Sequence, residues 1–123
     1  MPVRSLNSAV LKWPDARAVI GALHQWAEKI TRCRPEVSQI GFFGSYARGD
    51  WGVGSDLDLI IIVAGISQPF EMRPSAFDTL ELPVPTDILV YTREEWNTLK
   101  QKRNFFQKLD RETVWIYPSN NPS

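Results

Sequence analysis

Two aspartates one residue apart, Asp56 and Asp58, open the apolar run Leu59 to Val63. Residues 60 to 63 are β-branched and suit a buried strand. Side chains alternate along a strand, so Asp56 and Asp58 point the same way. Two carboxylates side by side at the head of a buried strand repel each other and are costly to desolvate. A cation beside them removes that cost. An all-oxygen ligand set favours a hard ion, Mg²⁺ or Mn²⁺, over zinc.

The complementary half lies just upstream. Gly44 permits close backbone approach, and Ser45 can cap or start a short helix through Tyr46, Ala47 and Arg48 that Gly49 then stops. The start of a helix presents N–H groups that suit a phosphate. Gly44-Ser45, ten residues, and then the Asp56/Asp58 pair therefore read as a phosphate cradle facing a metal-binding pair, which is the layout of nucleotide chemistry.

The string Gly44-Ser45, ten residues, Asp56-Leu57-Asp58, within GSYARGDWGVGSDLDL, resembles the signature of the DNA polymerase beta nucleotidyltransferase superfamily. It is similar in particular to the minimal nucleotidyltransferases, among them antitoxins whose toxin partners are helical HEPN-type proteins. The resemblance implies an α/β (α+β) fold with a small mixed sheet packed by helices. It implies transfer of a nucleoside monophosphate, AMP from ATP, to a hydroxyl, with two Mg²⁺ ions (Mn²⁺ as a substitute) on Asp56, Asp58 and a third carboxylate from a neighbouring strand. Asp87 is the position that matches the third carboxylate, and it can also take the acceptor's proton. The alternative for Asp87 is a turn aspartate at the Pro85-Thr86 bend. Gly44 and Ser45 would bind phosphates. Arg48 is read equally as a phosphate ligand or as a structural ion-pair partner.

The elements that must position these residues follow from local patterns. Pro14 and Asp15 open a helix to about residue 32, with Val19, Ile20, Leu23, Trp26, Ala27 and Ile30 at helical spacing. His24, the one histidine, borders that stripe and reads as a surface or packing residue. Val37 to Phe43 reads as a strand. Residues 64 to 72 read as a loop, and Pro74 to Leu80 as a short helix. Thr86 to Tyr91 reads as a third strand. Thr92 to Glu95 is a capping box opening a helix with Trp96 and Leu99, bent near Asn104 before Phe105, Phe106 and Leu109. Thr113 to Tyr117 reads as a last strand. Residues 1–13 are expected to be an N-terminal arm and 118–123 a polar tail of a single domain spanning 1–123. Ser55 is expected to fix a turn and Asp50 to be a solvated loop charge.

Composition sets outer limits. With 123 residues the chain suits one domain. Lys plus Arg and Asp plus Glu are 14 each, so overall charge lends no support to nucleic acid as the main partner. Lys100, Lys102, Arg103, Lys108 and Arg111 form a basic run diluted by acids, read as a solvated helix face or a contact for phosphates or an acidic partner. No apolar run reaches membrane-spanning length, and a single Cys33 fits a cytoplasmic protein. Five tryptophans mean either a Trp-rich core or a partner surface, with Trp51, Trp96 and Trp115 as candidates for the latter. Three functions compete. The first is adenylylation of a tyrosine on a HEPN-type toxin. The second is a non-catalytic antitoxin or binding module. The third is transfer to a small molecule such as an aminoglycoside.

Overall fold

A computed structural model of the chain describes residues 13–118; the expected arm and tail lie outside these apart from Trp13 and Pro118. The order of elements is α1 (Ala16–Cys33), β1 (Val37–Phe43), α2 (Ser45–Arg48), β2 (Leu57–Val63), a 3-10 helix (Phe70–Ala76), β3 (Thr86–Thr92), α3 (Arg93–Lys102), α4 (Asn104–Glu112) and β4 (Val114–Tyr117). The four strands form one mixed sheet in the order β3-β2-β1-β4. β1 pairs antiparallel with β2 and β4, and β2 pairs parallel with β3. This is the mixed α+β architecture expected.

The uninterrupted apolar character of β2 has a direct cause: both of its faces are covered. Leu57, Leu59 and Ile61 join a core with Val19, Leu23 and Trp26 of α1, while Ile60 and Ile62 join a second cluster with Trp96 and Leu109 of α3 and α4. Helix α1 starts at an Asp15 N-cap, whose carboxylate accepts from the Ala18 N–H at 2.9 Å. Gly41, in the middle of β1, leaves room for β4: a Cβ there would stand 2.5 Å from Thr113 Cγ2 and 2.7 Å from Trp115 Cε3.

The capping box forms in full. The Thr92 hydroxyl accepts from the Glu95 N–H at 3.1 Å, and the Glu95 carboxylate accepts from the Thr92 N–H at 2.9 Å. The same carboxylate receives a forked pair from Arg73 at 2.7 and 3.0 Å. Arg73 is 7% exposed and also donates to the carbonyls of Val90 and Gln68. This anchor corrects the expected helix over 74–80 and the loop before it. The segment is instead a 3-10 helix over Phe70–Ala76 with Pro74 inside it, held to β3 and α3 by Arg73 and by the Phe70 ring against Tyr91.

Trp26 and Trp96 belong to the core, and Trp13, Trp51 and Trp115 pack partly buried against it. Trp96 is 1% exposed and packs edge-on against Trp115. Trp51 is half-buried and stacks on Tyr46 at 5.7 Å. Of the two readings open for the tryptophans, burial removes Trp96 from any partner surface, while Trp51 and Trp115 are partly buried against neighbouring rings. His24 is exposed, as read from the sequence. No helix among the described residues is long and apolar enough to cross a membrane.

Candidate active site

The sheet delivers the carboxylates. Asp58 lies on β2 on the face shared with Ile60 and Ile62, and its register partners are Phe43 on β1 and Asp87 on β3. Parallel pairing thus sets Asp87 beside Asp58, one strand spacing of about 4.8 Å away along the hydrogen-bonding direction. Asp56 precedes β2 and, with Asp58, lines a cavity of about 650 Å³ together with Gly44, Ser45 and Arg48. That volume lies within the usual range for small-ligand sites. Asp87 lines a separate depression with Pro74, Phe77 and Thr79. The structure therefore joins Asp56 and Asp58 to Gly44, Ser45 and Arg48 around one cavity and places Asp87 beside Asp58 on the adjoining strand.

The electrostatics of Asp58 report the crowding. Burial, then the charges of Asp87 and Asp56, push its carboxyl above the ordinary range; Arg48 opposes them, and Glu112 adds a further upward push. Among the described residues no three His, Cys, Asp or Glu side chains close into a ready-made metal cage. Mg²⁺ commonly binds through one or two carboxylates and completes its shell with water and substrate phosphates. The crowded Asp56–Asp58 pair, short of positive charge, fits such an ion.

Gly44 has a structural duty that only glycine performs. Its φ is +77°, and a Cβ there would stand 2.5 Å from Asp58 Oδ2. Gly44 is the N-cap of α2, so Ser45 starts the helix rather than capping it, and Gly49 ends it in the left-handed conformation. Gly44→Ala is expected to cost about 1–3 kcal/mol from the backbone alone and to displace the Asp58 carboxylate. A lowered Tm together with loss of any ATP–Mg²⁺ thermal shift is the expected result; a variant with wild-type values of both would show that the close approach is not required.

The flanking residues divide cleanly. Ser55 fixes the turn, its hydroxyl accepting from the Gly52 N–H at 2.8 Å. Asp50 is exposed and pairs with Arg48 at 3.2 Å. Arg48 also approaches Glu112 at 3.5 Å while lining the cavity, so the structure gives it ion pairs at the edge of the cradle. Of the basic run, Lys100 pairs with Asp110 across the α3–α4 corner at 3.6 Å, and Lys108 faces the cavity.

The opposite wall was not read from the sequence. It is α4, which lines the cavity with Phe105, Lys108, Leu109 and Glu112. The spacing of these four, three then one then three, marks one helical face. Phe105 is 65% exposed and offers a flat apolar surface at the cavity. Glu112 reaches across to accept a hydrogen bond from the Gly44 N–H at 2.9 Å.

Similarity to known proteins accords with this geometry. The chain is similar in fold, with a TM-score of 0.61 and 19% identity, to a candidate nucleotidyltransferase from Sulfolobus solfataricus, over 83% of this chain and 82% of that one. It is also similar, with a TM-score of 0.52 and 17% identity, to a chain of a toxin–antitoxin structure determined with AMP-PNP, over 76% of this chain and 72% of that one. No curated protein sequence matches it. The nucleotidyltransferase domain family matches residues 25–110, a stretch that carries Gly44, Ser45, Asp56, Asp58 and Asp87, and the chain belongs to that family.

Proposed function

We propose that this protein transfers AMP from ATP to a hydroxyl, and that the acceptor is a tyrosine of a HEPN-type toxin that it thereby neutralises as antitoxin. The observation that carries the transfer is the Asp56–Asp58 pair facing Gly44, Ser45 and Arg48 across one cavity. ATP and a toxin partner are in keeping with the fold likeness to the toxin–antitoxin protein solved with AMP-PNP.

Each side chain has a task in this reading. The Ser45 hydroxyl and the Arg48 guanidinium hold the triphosphate tail. Asp56, Asp58 and Asp87 would hold Mg²⁺, which when bound neutralises phosphate charge and lowers the pKa of the acceptor hydroxyl. The acceptor oxygen bonds to the α-phosphorus, the bond to the β-phosphate oxygen breaks, and pyrophosphate leaves. Asp87 takes the acceptor's proton. Phe105 stacks on the base without selecting among bases, since every base offers a π face.

The test is incubation with α-labelled ATP, Mg²⁺ and a co-expressed HEPN-type partner. The partner's tyrosine is expected to carry the label, and the Asp56→Asn/Asp58→Asn double variant to transfer none. Label on a small molecule instead would assign a different acceptor. A complex that forms without any labelling would identify a binding module.

A further inference from the structure

The carboxylate of Glu112 occupies the donors that a phosphate would use. It accepts from the Gly44 N–H at 2.9 Å and lies 3.5 Å from the Arg48 guanidinium. Both donors line the cavity, on the wall opposite α4. Glu112 belongs to the last turn of α4, so a carboxylate borne by one element is seated in the cradle built by another, across a sequence distance of 68 residues. A carboxylate oxygen and a phosphate oxygen make the same demand on an N–H and a guanidinium, and both are anionic. They cannot satisfy that demand together at one amide hydrogen.

We propose that Glu112 determines the affinity and selectivity of the phosphate subsite: its carboxylate is an internal competitor for Gly44 N–H and Arg48, and a triphosphate is seated only by displacing it. This rests on the nucleotide reading of the site and adds a residue to it. The Glu112 side chain is 33% exposed, so it has solvent to swing into when displaced. Displacement releases Arg48 from its Glu112 partner at the moment a phosphate needs it. Anions too weakly held to displace a hydrogen-bonded, ion-paired carboxylate are turned away, and a metal-bearing triphosphate is favoured over inorganic phosphate.

The sign of the expected effect is what makes the proposal testable, because removing an ordinary ligand-binding residue weakens binding. Glu112→Gln removes the charge and keeps the shape; Glu112→Ala removes the competitor. Both are expected to bind ATP–Mg²⁺ about tenfold tighter than the natural protein, on the strength of a charge-assisted hydrogen bond at a partly exposed site. Both are expected to show a larger gain for inorganic phosphate than for ATP–Mg²⁺. Calorimetric titration with each probe reads the affinities. The amide resonance of Gly44, followed without ligand, reads the contact itself and should move in both variants. If the natural protein binds ATP–Mg²⁺ and both variants bind it equally or more weakly, Glu112 is a support for the cradle and the proposal falls alone. If neither the natural protein nor either variant binds ATP or phosphate, the nucleotide reading falls and takes the proposal with it.

Discussion

Asp87→Asn is expected to bind ATP–Mg²⁺ within about threefold of the natural affinity and to transfer the nucleotide at least about 100-fold more slowly, the lower bound for loss of a positioned general base. The reasons lie in the register. Asp87 stands beside Asp58 on the neighbouring strand, while the cavity that would seat the triphosphate is lined by Asp56 and Asp58 without it. Loss of an interaction made in the transition state lowers turnover and leaves substrate affinity nearly unchanged. Asp87 is exposed near the start of β3, so asparagine there leaves the sheet intact. Parallel measurement of ATP affinity and label incorporation checks the split. Near-normal incorporation by the variant would return Asp87 to the role of a turn aspartate.

Arg73→Ala is expected to be the most destabilising single substitution discussed, by about 3 kcal/mol, the low end of the range for breaking a buried pair. The discount reflects Glu95, whose side chain is 42% exposed against 9% for Arg73. The loss leaves the Val90 and Gln68 carbonyls without their donor and frees the 3-10 helix from α3. A fall in Tm of roughly 10 °C follows for a domain of this size. The pH dependence should change as well. The hydrogen bond from Arg73 is the main cause holding the Glu95 carboxyl below the ordinary glutamate range. A depressed folded-state pKa gives stability that is fully present above the unfolded value, about 4.3, and is lost as pH falls through the folded one. Below the folded pKa the gap between the natural protein and the variant should therefore narrow to the part due to the Val90 and Gln68 carbonyls. Denaturation of both across the acid range checks this, and a constant gap down to the lowest pH would show that packing, not the charge pair, accounts for the loss.

The parts of the fold that were legible in the sequence are those written in local patterns. The β1 run ended by Gly44, the Leu59–Val63 run within β2, the Thr92–Glu95 box and the break before Asn104 all depend on neighbours within a few residues. The Gly44-Ser45 and Asp56-Leu57-Asp58 motif was legible for the same reason, since its parts share one turn and one strand end. What escaped depends on distance. Arg73 and Glu95 are 22 residues apart, and Glu112 meets Gly44 across 68; no period or breaker encodes either meeting. The 3-10 helix was misplaced because Pro74 looked like a helix start, when the position of the segment is set by a side chain that reaches another element. The tryptophans were undecidable because burial of a ring depends on what the fold brings over it.

The parallel pairing of β2 with β3 has a consequence for how the protein acquires its site. An antiparallel neighbour can zip from a tight turn, but a parallel one must wait for a long crossover to close. Here that crossover runs from Val63 to Thr86 and carries the 3-10 helix, and the β1–β4 pairing spans still more of the chain. Such non-local contacts are slow to form because loop entropy is lost before any strand contact is gained. The Asp58–Asp87 juxtaposition therefore does not exist in any early, locally structured form of the chain. The Gly44–Asp58 approach spans 14 residues and needs no crossover, whereas the Asp58–Asp87 pairing waits for the sheet to close.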